Sequence, residues 1–303
     1  MNFPAARALA TPRWRAYVEL TKPRVVALML FTALAGMLLA TRAAVPWRVL
    51  VFGLLGIALM AGSAAAVNHL VDARADALMA RTRARPLPRG ALSANEVALF
   101  AAICGALGLA LLLGFTNPLC AALTFASLVG YAFVYSVVLK PLTPQNIVIG
   151  GAAGATPPLL GWVAVSGRLD AGALLLFLII LVWTPPHFWA LAIHRRADYV
   201  RAAIPMLPVT HGVAFTAQRI LAYTVLLWAV SLLPALIGDA GGLYLAAAFG
   251  LGARFALLAR RLRRDERWAM PTFRYSIVYL AALFAALLVD HWALGAILRA
   301  PTP

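Results

Sequence analysis

The sequence has 303 residues, of which 63% are hydrophobic and only 12% charged, and its mean hydropathy is +0.88. A water-soluble domain of this size needs far more polar surface, so the composition excludes an ordinary soluble protein and predicts a membrane protein. The net charge of +16 does not indicate nucleic-acid binding, because the basic residues are grouped between apolar runs, as in polytopic membrane proteins.

Nine apolar runs are long enough to cross a bilayer, and they are continuously apolar, without the alternation of a β-barrel. The predicted spans are 25–41, 48–67, 93–114, 118–138, 146–165, 171–193, 214–236, 240–258 and 275–298. We therefore predict an all-α fold: one nine-helix transmembrane domain at 25–298, preceded by a segment at 1–24 and followed by a tail at 299–303.

The distribution of basic residues predicts the topology. Of the 26 Lys and Arg, all but four lie in the N-terminal segment, in the even-numbered loops or in the span ends that adjoin those loops, and the exceptions are Arg42, Arg48, Arg168 and Arg299. The positive-inside rule then places the N-terminus and those loops in the cytoplasm and the C-terminus outside. Residues 1–24 have no apolar core, so no cleavable signal peptide is expected. Cys104 and Cys120 lie inside spans and are interpreted as packing residues.

The first candidate site follows the second span. Asn68, Asp72 and Asp76 are spaced four residues apart, so they share one face if the helix continues beyond the span. Two carboxylates one turn apart repel each other, and the penalty grows where water is scarce. A divalent cation removes that penalty, and Mg²⁺ prefers one or two carboxylates together with phosphate oxygens.

Arginines interleave with and follow these acids, namely Arg74, Arg81, Arg83, Arg85 and Arg89. Guanidinium groups bind phosphate through paired hydrogen bonds, so acids and arginines together indicate a metal–diphosphate site. The alternative is an ordinary loop with arginines for topology and acids for solubility. The spacing of the acids favours the site.

The second candidate site lies at 183–212. Pro185 and Pro186 are expected to break the sixth span, with His187 at the break. His187 is either a packed core histidine or a functional group inside the membrane. Asp198 stands among Arg195, Arg196 and Arg201 and either anchors a second metal ion or pairs with a neighbouring arginine.

Five blocks in this order resemble the protoheme IX farnesyltransferase family (heme O synthases), a branch of the UbiA-type intramembrane prenyltransferases. The blocks are YVELTKPR at 17–24, the Asn68-Asp72-Asp76 acids with RTRARP at 81–86, LKPLTPQNIVIGG at 139–151, PPHFW at 185–189 and DYVRAAIPMLPV at 198–209. The sequence departs from the family at Arg74, where members often have an acid, and at Pro141 and Leu142, where many have basic residues.

The resemblance implies a UbiA-type fold and transfer of a farnesyl group from farnesyl diphosphate to the 2-vinyl group of heme B. Water addition then gives heme O and diphosphate for the biogenesis of heme–copper oxidases. One or two Mg²⁺ ions are implied. The implied metal ligands and catalytic residues are Asp72, Asp76, Asn68 and Asp198.

The resemblance implies separate contacts for the diphosphate, for the farnesyl cation and for heme. The diphosphate contacts are Arg81, Arg83, Arg85 and Lys140, with Arg195 as a further substrate contact. Aromatic rings such as Tyr135 are expected to stabilise the farnesyl cation, and His187 is the first choice among the histidines for heme. The expected partners are farnesyl diphosphate, heme B and the lipid bilayer of a bacterial inner membrane, together with heme-modifying or oxidase-assembly proteins.

Two rival functions stay open. A UbiA-type prenyltransferase acting on an aromatic quinone precursor shares most of these features, but the PPHFW block counts against it. A transporter of heme or lipid phosphates fits the spans, but it does not require paired acids beside a phosphate-type arginine cluster.

Overall fold

The computed structural model describes residues 12–79 and 82–299, with side chains as far as Ala293. Within these ranges the chain consists of helices and short connections, without a β-strand, which confirms the all-α prediction. The helices are α1 (Arg13–Leu20), α2 (Pro23–Leu39), α3 (Trp47–Leu78), α4 (Ala94–Phe115), α5 (Pro118–Val129), a π-helix (Gly130–Leu139), α6 (Lys140–Leu142), α7 (Asn146–Ala155), α8 (Pro157–Ser166), α9 (Ala171–His194), α10 (Arg196–Arg201), α11 (Leu207–Thr210), α12 (Gly212–Leu236), α13 (Gly242–Leu262), a 3₁₀ turn (Glu266–Trp268) and α14 (Ala269–Arg299).

In the described part of the chain, eight helices are long and apolar enough to cross a membrane. The remaining predicted span, 25–41, corresponds to α2, which passes the same criterion together with α1, and the two helices are bent by 47° at their junction. Many large apolar side chains on the outer faces are exposed, as lipid-facing residues are. The protein is therefore an integral membrane protein. The end of the bundle that carries the connections at 79–93, 195–211 and 263–268 is called the basic end below.

The bundle is built from pairs of packed helices, some consecutive in the chain and others distant in it. α3 packs along α4, α2 along α8, α9 along α12, α12 along α13 and α13 along α14, and α14 also contacts α2. The backbones of α2 and α8 meet at Gly36 and Gly161, where an added Cβ would lie 2.0 Å and 1.9 Å from a carbonyl oxygen of the other helix. Such close approach through small residues is typical of helices packed within membranes.

α3 positions the first candidate site. It is 32 residues long, whereas about 20 residues span the hydrocarbon core. Counted from Trp47, its last three turns, from about Asn68 onward, therefore reach the membrane surface while remaining helical. The prediction that the second helix continues past its span is confirmed.

The predicted break at Pro185 and Pro186 is wrong, because both prolines lie inside the continuous helix α9. The residues on either side bind the same residue of α14: the Trp183 indole N–H donates to the Ser276 carbonyl at 2.7 Å, and His187 Nδ1 hydrogen bonds to Ser276 Oγ at 2.6 Å. Thr184 Oγ1 also donates to the backbone one turn earlier. Tertiary contacts and side-chain hydrogen bonds thus hold the helix together where two backbone donors are missing.

The fourth span contains a feature that the apolar run at 118–138 did not predict. From Gly130 to Leu139 the chain is a π-helix, in which hydrogen bonds join residues five apart. Tyr131 and Ser136, and likewise Tyr135 and Lys140, are five residues apart and therefore lie one above the other. The π-helix packs against α3, and it brings these side chains to the polar end of that helix.

Candidate functional site

The site begins with three buried polar side chains on one face of α3. Asn68, Asp72 and Asp76 are 3%, 6% and 1% exposed. None of the three faces lipid, although they lie near the membrane surface. Buried carboxylates are stable only with nearby positive charge or several hydrogen bonds, so the partners of each acid determine what the site can do.

Asp72 is held by an amide and an ammonium group. Lys140 Nζ lies 2.5 Å from Asp72 Oδ2, and Asn68 Nδ2 donates to the same oxygen at 2.9 Å. Asn68 Oδ1 in turn accepts from Lys22 Nζ at 2.5 Å, and its Nδ2 also contacts Ser136 Oγ at 3.0 Å. The result is a continuous polar chain with a cation at each end.

Lys22 reaches the site from the junction of α1 and α2. Its φ of 51° places a non-glycine residue in the left-handed region directly before Pro23, a conformation that costs about 1–3 kcal/mol and is often found at functional sites. The ammonium group also lies 3.4 Å from the Tyr131 hydroxyl and 5.7 Å from the centroid of that ring, which stacks on Tyr135 at 5.4 Å. The bend between the first two helices therefore delivers a positive charge to the amide of α3.

Lys22 and Lys140 are the two lysines of the sequence, in which the other basic residues are all arginines. Both ammonium groups end on the same polar chain, 2.5 Å from an oxygen of Asn68 or Asp72. An ammonium group is a compact charge with three rotatable donors, which suits a crowded pocket better than a planar guanidinium. Lys22 and Ser136 were not predicted as site residues from the sequence. Lys22 could have been found, because it is one of only two lysines among 26 basic residues.

Asp76 is held by the connection that follows α3. Arg85 Nη1 lies 2.6 Å from Asp76 Oδ2, and Thr82 Oγ1 donates to the Asp76 carbonyl at 3.0 Å. Among the described residues, the other carboxylate oxygen, Oδ1, is buried without a hydrogen-bond partner, as are both ring nitrogens of His69. The site therefore contains polar atoms that protein groups leave unsatisfied, which is a usual property of a ligand-binding pocket.

The α3 site offers Mg²⁺ a carboxylate oxygen that is not already hydrogen-bonded within the described residues. Asp76 Oδ1 is a free, buried anionic oxygen one turn from Asp72. In the described ranges no group of three or more His, Cys, Asp or Glu side chains could hold a metal ion. Mg²⁺ does not require such a cage, because it retains waters and takes phosphate oxygens beside one or two carboxylates.

The arginines around the site have different environments. Arg81 lies outside the described residues, Arg74 and Arg83 are exposed, and Arg85 is the partner of Asp76. Arg89 pairs with Glu19 of α1 at 3.1 Å, which ties the connection after α3 to the N-terminal segment. The family departures at Pro141 and Leu142 are both exposed.

In the second candidate region, Asp198 is buried and forms an ion pair with Arg201, three residues further on. Arg195 is exposed at the end of α9. Arg201 therefore occupies one carboxylate oxygen of Asp198, Oδ1, and in the described ranges Asp198 belongs to no group of three or more His, Cys, Asp or Glu side chains that could hold a metal ion. The pairing is local, in contrast to the long-range partners of Asp72.

His187 lies inside α9 in an aromatic stack. Its ring is 4.1 Å from Trp183 and 4.6 Å from Phe273, at small interplanar angles, and Phe188 approaches edge-on at 5.0 Å. With Nδ1 bound to Ser276, Nε2 is the nitrogen left for another partner.

The two regions meet in one apolar cluster at the basic end. Met79 from the end of α3 packs in the same buried group as Trp189 and Ile193 of α9, and as Ile204 and Leu207 beyond Asp198. The cluster fixes the carboxyl end of α3 relative to the segment that follows α9. The structure therefore places both predicted sites at the same end of the bundle.

Comparison with known proteins places the chain in the family that its sequence blocks resemble. Residues 29–288 match the UbiA prenyltransferase family. The chain is 61% identical over 287 residues to the protoheme IX farnesyltransferase of Stutzerimonas stutzeri strain A1501, covering 94% of this chain and 96% of that protein.

Solved structures share the fold at low identity. A digeranylgeranylglyceryl phosphate synthase superposes with a TM-score of 0.78 at 19% identity, over 93% of this chain and 99% of the other. A UbiA homologue from Archaeoglobus fulgidus, bound to DMAPP and Mg²⁺, gives a TM-score of 0.64 at 17% identity, over 89% and 98%. The matched residues, the shared fold and the identity over nearly the whole length show that the chain belongs to the UbiA prenyltransferase family and, within it, to the protoheme IX farnesyltransferases.

Proposed function

We propose that the protein transfers the farnesyl group of farnesyl diphosphate to the 2-vinyl group of heme B, with water addition, to give heme O and diphosphate. The observation that carries this proposal is the pair of buried α3 acids, each in contact with a cation from another segment. The close relatives, which are named protoheme IX farnesyltransferases, support the choice of substrates.

The α3 site can bind both partners of a metal–diphosphate complex. Asp72 and Asp76 are anionic, whereas Lys22, Lys140 and Arg85 are cationic and already within hydrogen-bond distance of Asn68 or the acids. When the substrate binds, the basic side chains can exchange their carboxylate or amide partners for phosphate oxygens. Charge-assisted hydrogen bonds to phosphate then stabilise the charge that grows on the leaving group.

Asp72, Asp76 and Asn68 are the proposed Mg²⁺ ligands, and Asp198 is the proposed anchor of a second ion. The Mg²⁺ reported with a prenyl diphosphate in the Archaeoglobus fulgidus homologue supports this assignment. Bound Mg²⁺ supplies electrostatic stabilisation to the departing diphosphate. The remaining phosphate contacts are proposed for Arg81, Arg83 and Arg195.

The bond changes follow from this arrangement. The C1–O bond of farnesyl diphosphate breaks, diphosphate departs, and the terminal vinyl carbon of heme B bonds to C1. Water then adds to the carbon next to the porphyrin ring and loses a proton, which leaves the hydroxyl group of heme O. The stacked rings of Tyr131 and Tyr135, beside Lys22 and Asp72, can stabilise the allylic cation and limit access of water to it.

Heme B is proposed to approach from the side of α9. His187 is the proposed contact, since its Nε2 remains available while Ser276 holds Nδ1 and fixes the ring. The hydrogen bond made by one ring nitrogen of a histidine usually sets which nitrogen is free for a ligand.

The proposed orientation follows the basic residues. The basic end of the bundle is proposed to face the cytoplasm of a bacterial inner membrane, with the C-terminus on the other side. Farnesyl diphosphate would then reach the site from the cytoplasmic leaflet. Downstream heme-modifying or oxidase-assembly proteins are the proposed protein partners.

The direct test uses purified protein with heme B, farnesyl diphosphate and Mg²⁺, followed by mass spectrometry. The expected product is heme B with a farnesyl group and a hydroxyl group added across its 2-vinyl double bond. Parallel reactions with a hydroxybenzoate acceptor and with EDTA serve as controls. Prenylation of the hydroxybenzoate but not of heme, or an unchanged rate in EDTA, would contradict the proposal.

A further inference from the structure

A cavity of about 540 Å³, lined by both arginines and apolar side chains, lies between α13 and α14 at the basic end of the bundle. It shares no lining residue with the α3 site. Three arginines line it, Arg254 and Arg261 from α13 and Arg274 from α14, and each of them is exposed. Because the first two are seven residues apart, they lie two turns apart on one face of the helix.

Aromatic rings orient two of these guanidinium groups. Arg254 Cζ is 4.8 Å from the centroid of the Tyr275 ring, and Arg261 Cζ is 4.7 Å from that of Trp268. A guanidinium stacked on a ring keeps its N–H donors in its own plane, free to bind an anion at the edge.

No acid of the described residues forms an ion pair with Arg254, Arg261 or Arg274. The nearby acid Asp265 contacts Arg267 instead, at 3.8 Å. Arg254 lies eight residues before the end of α13, about 12 Å below it at 1.5 Å per residue. An uncompensated arginine at that depth in a membrane is costly, so an anion within the cleft would stabilise it.

The rest of the cleft is apolar and open to the surroundings of the bundle. Leu257 is 58% exposed and Val278 is 56% exposed, and both line the cavity. A soluble anion would gain nothing from these side chains, whereas an acyl chain would cover them. The ligand chemistry that matches both parts is a phosphate joined to a hydrocarbon chain.

We infer that the α13–α14 cleft binds one anionic phospholipid from the membrane leaflet at the basic end of the bundle. The lipid phosphate lies among Arg254, Arg261 and Arg274, and an acyl chain lies along Leu257 and Val278. Basic pockets between transmembrane helices bind anionic head groups in this manner. The inference does not depend on the reaction at the α3 site.

The test measures lipid binding to the purified full-length chain in neutral detergent by native mass spectrometry. Short-chain phosphatidylglycerol is titrated against phosphatidylcholine with the same chains. The variant R254Q/R261Q/R274Q is compared with R263Q/R264Q/R267Q, which removes the same charge from exposed arginines of the same hairpin. We expect the cleft variant to lose phosphatidylglycerol affinity by roughly tenfold or more, and the control to bind like the wild type.

Several results would overturn the inference: equal loss in both variants, equal binding of phosphatidylcholine by the wild type, or displacement of the lipid by heme B or inorganic diphosphate. If the triple variant does not remain monodisperse, Arg274→Gln replaces it. The two stacked pairs are formed by Arg254 and Arg261, so removal of Arg274 leaves both pairs in place. A smaller but measurable loss is expected there, and unchanged affinity in this variant also contradicts the inference.

Discussion

The two polar regions at the basic end of the bundle are held in different ways. Around α3, Asp72 is bound by Lys140, 68 residues away in the sequence, and Asn68 by Lys22, 46 residues away. In the segment after α9, Asp198 is bound by Arg201, three residues away. The α3 site therefore depends on how distant helices pack, whereas the environment of Asp198 is set largely by its own short helix.

The two kinds of partner imply that the charges around α3 are more preorganised than those around Asp198. Long-range partners on the bend at Lys22 and on the π-helix at Lys140 fix the α3 acids before a substrate arrives, and preorganised charge is the main source of electrostatic catalysis. A local pair such as Asp198 with Arg201 is partly exposed and can be exchanged at little cost. We expect substitutions of the α3 acids to affect turnover most, and substitutions of the lysines that bind the α3 polar chain or of residues after α9 to affect ligand affinity.

The largest effect is expected for Asp72→Asn and Asp76→Asn. Each change keeps the size of the side chain but removes a charge that is proposed to hold Mg²⁺, so heme O formation should fall by about a thousandfold or more. The measurement is turnover of purified protein with heme B and farnesyl diphosphate.

Asp290→Asn is the matched control, because Asp290 is also buried but accepts hydrogen bonds from the backbone of Gly241 and Tyr244, near the connection between α12 and α13. It should lower stability and leave the rate per folded molecule unchanged. Wild-type turnover by either α3 variant would contradict the metal role.

A smaller effect is expected for Lys22→Met and Lys140→Met. Methionine keeps the length of the side chain but cannot bind phosphate, so the KM for farnesyl diphosphate should rise by roughly tenfold to a hundredfold. The KM for heme B should change little. The exposed Arg219→Met on α12 is the control. An unchanged KM in both lysine variants would show that the ammonium groups only neutralise the buried polar chain.

The sequence predicted the parts of the site that follow from spacing. Four-residue spacing placed Asn68, Asp72 and Asp76 on one face, and the apolar runs predicted the spans to within a few residues at most ends. These features depend on the periodicity of single helices, which can be read locally.

What the sequence did not predict depends on contacts between helices. The break expected at Pro185 is absent because Ser276 of α14 binds the residues on both sides of the proline pair. The π-helix from Gly130 has the same apolar composition as an α-helix, so composition could not reveal it. The role of Lys22 arises from the bend between α1 and α2, and a single sequence does not show where that bend points.

For the second region, Asp198→Asn should raise the Mg²⁺ concentration needed for half-maximal turnover by about tenfold, with a smaller effect on the maximal rate. Arg201→Gln is the control, because it removes the ion pair and leaves the carboxylate in place. The Mg²⁺ requirement should then be unchanged. If both variants behave alike, Asp198 serves the ion pair and not a metal ion.

The smallest effect is expected for His187→Phe, which preserves the ring stack with Trp183 and Phe273 but removes both nitrogens. If Nε2 contacts heme, the KM for heme B should rise by roughly several-fold, about the effect of one lost polar contact, while the KM for farnesyl diphosphate stays the same. Ser276→Ala removes the partner of Nδ1 and should produce a weaker shift in the same direction, because the ring is then less well oriented. If both variants only lower the unfolding temperature and leave the KM for heme unchanged, His187 joins α9 to α14. The heme contact must then come from another histidine at the basic end, such as His69, whose two ring nitrogens are buried with no hydrogen-bond partner in the described part of the chain.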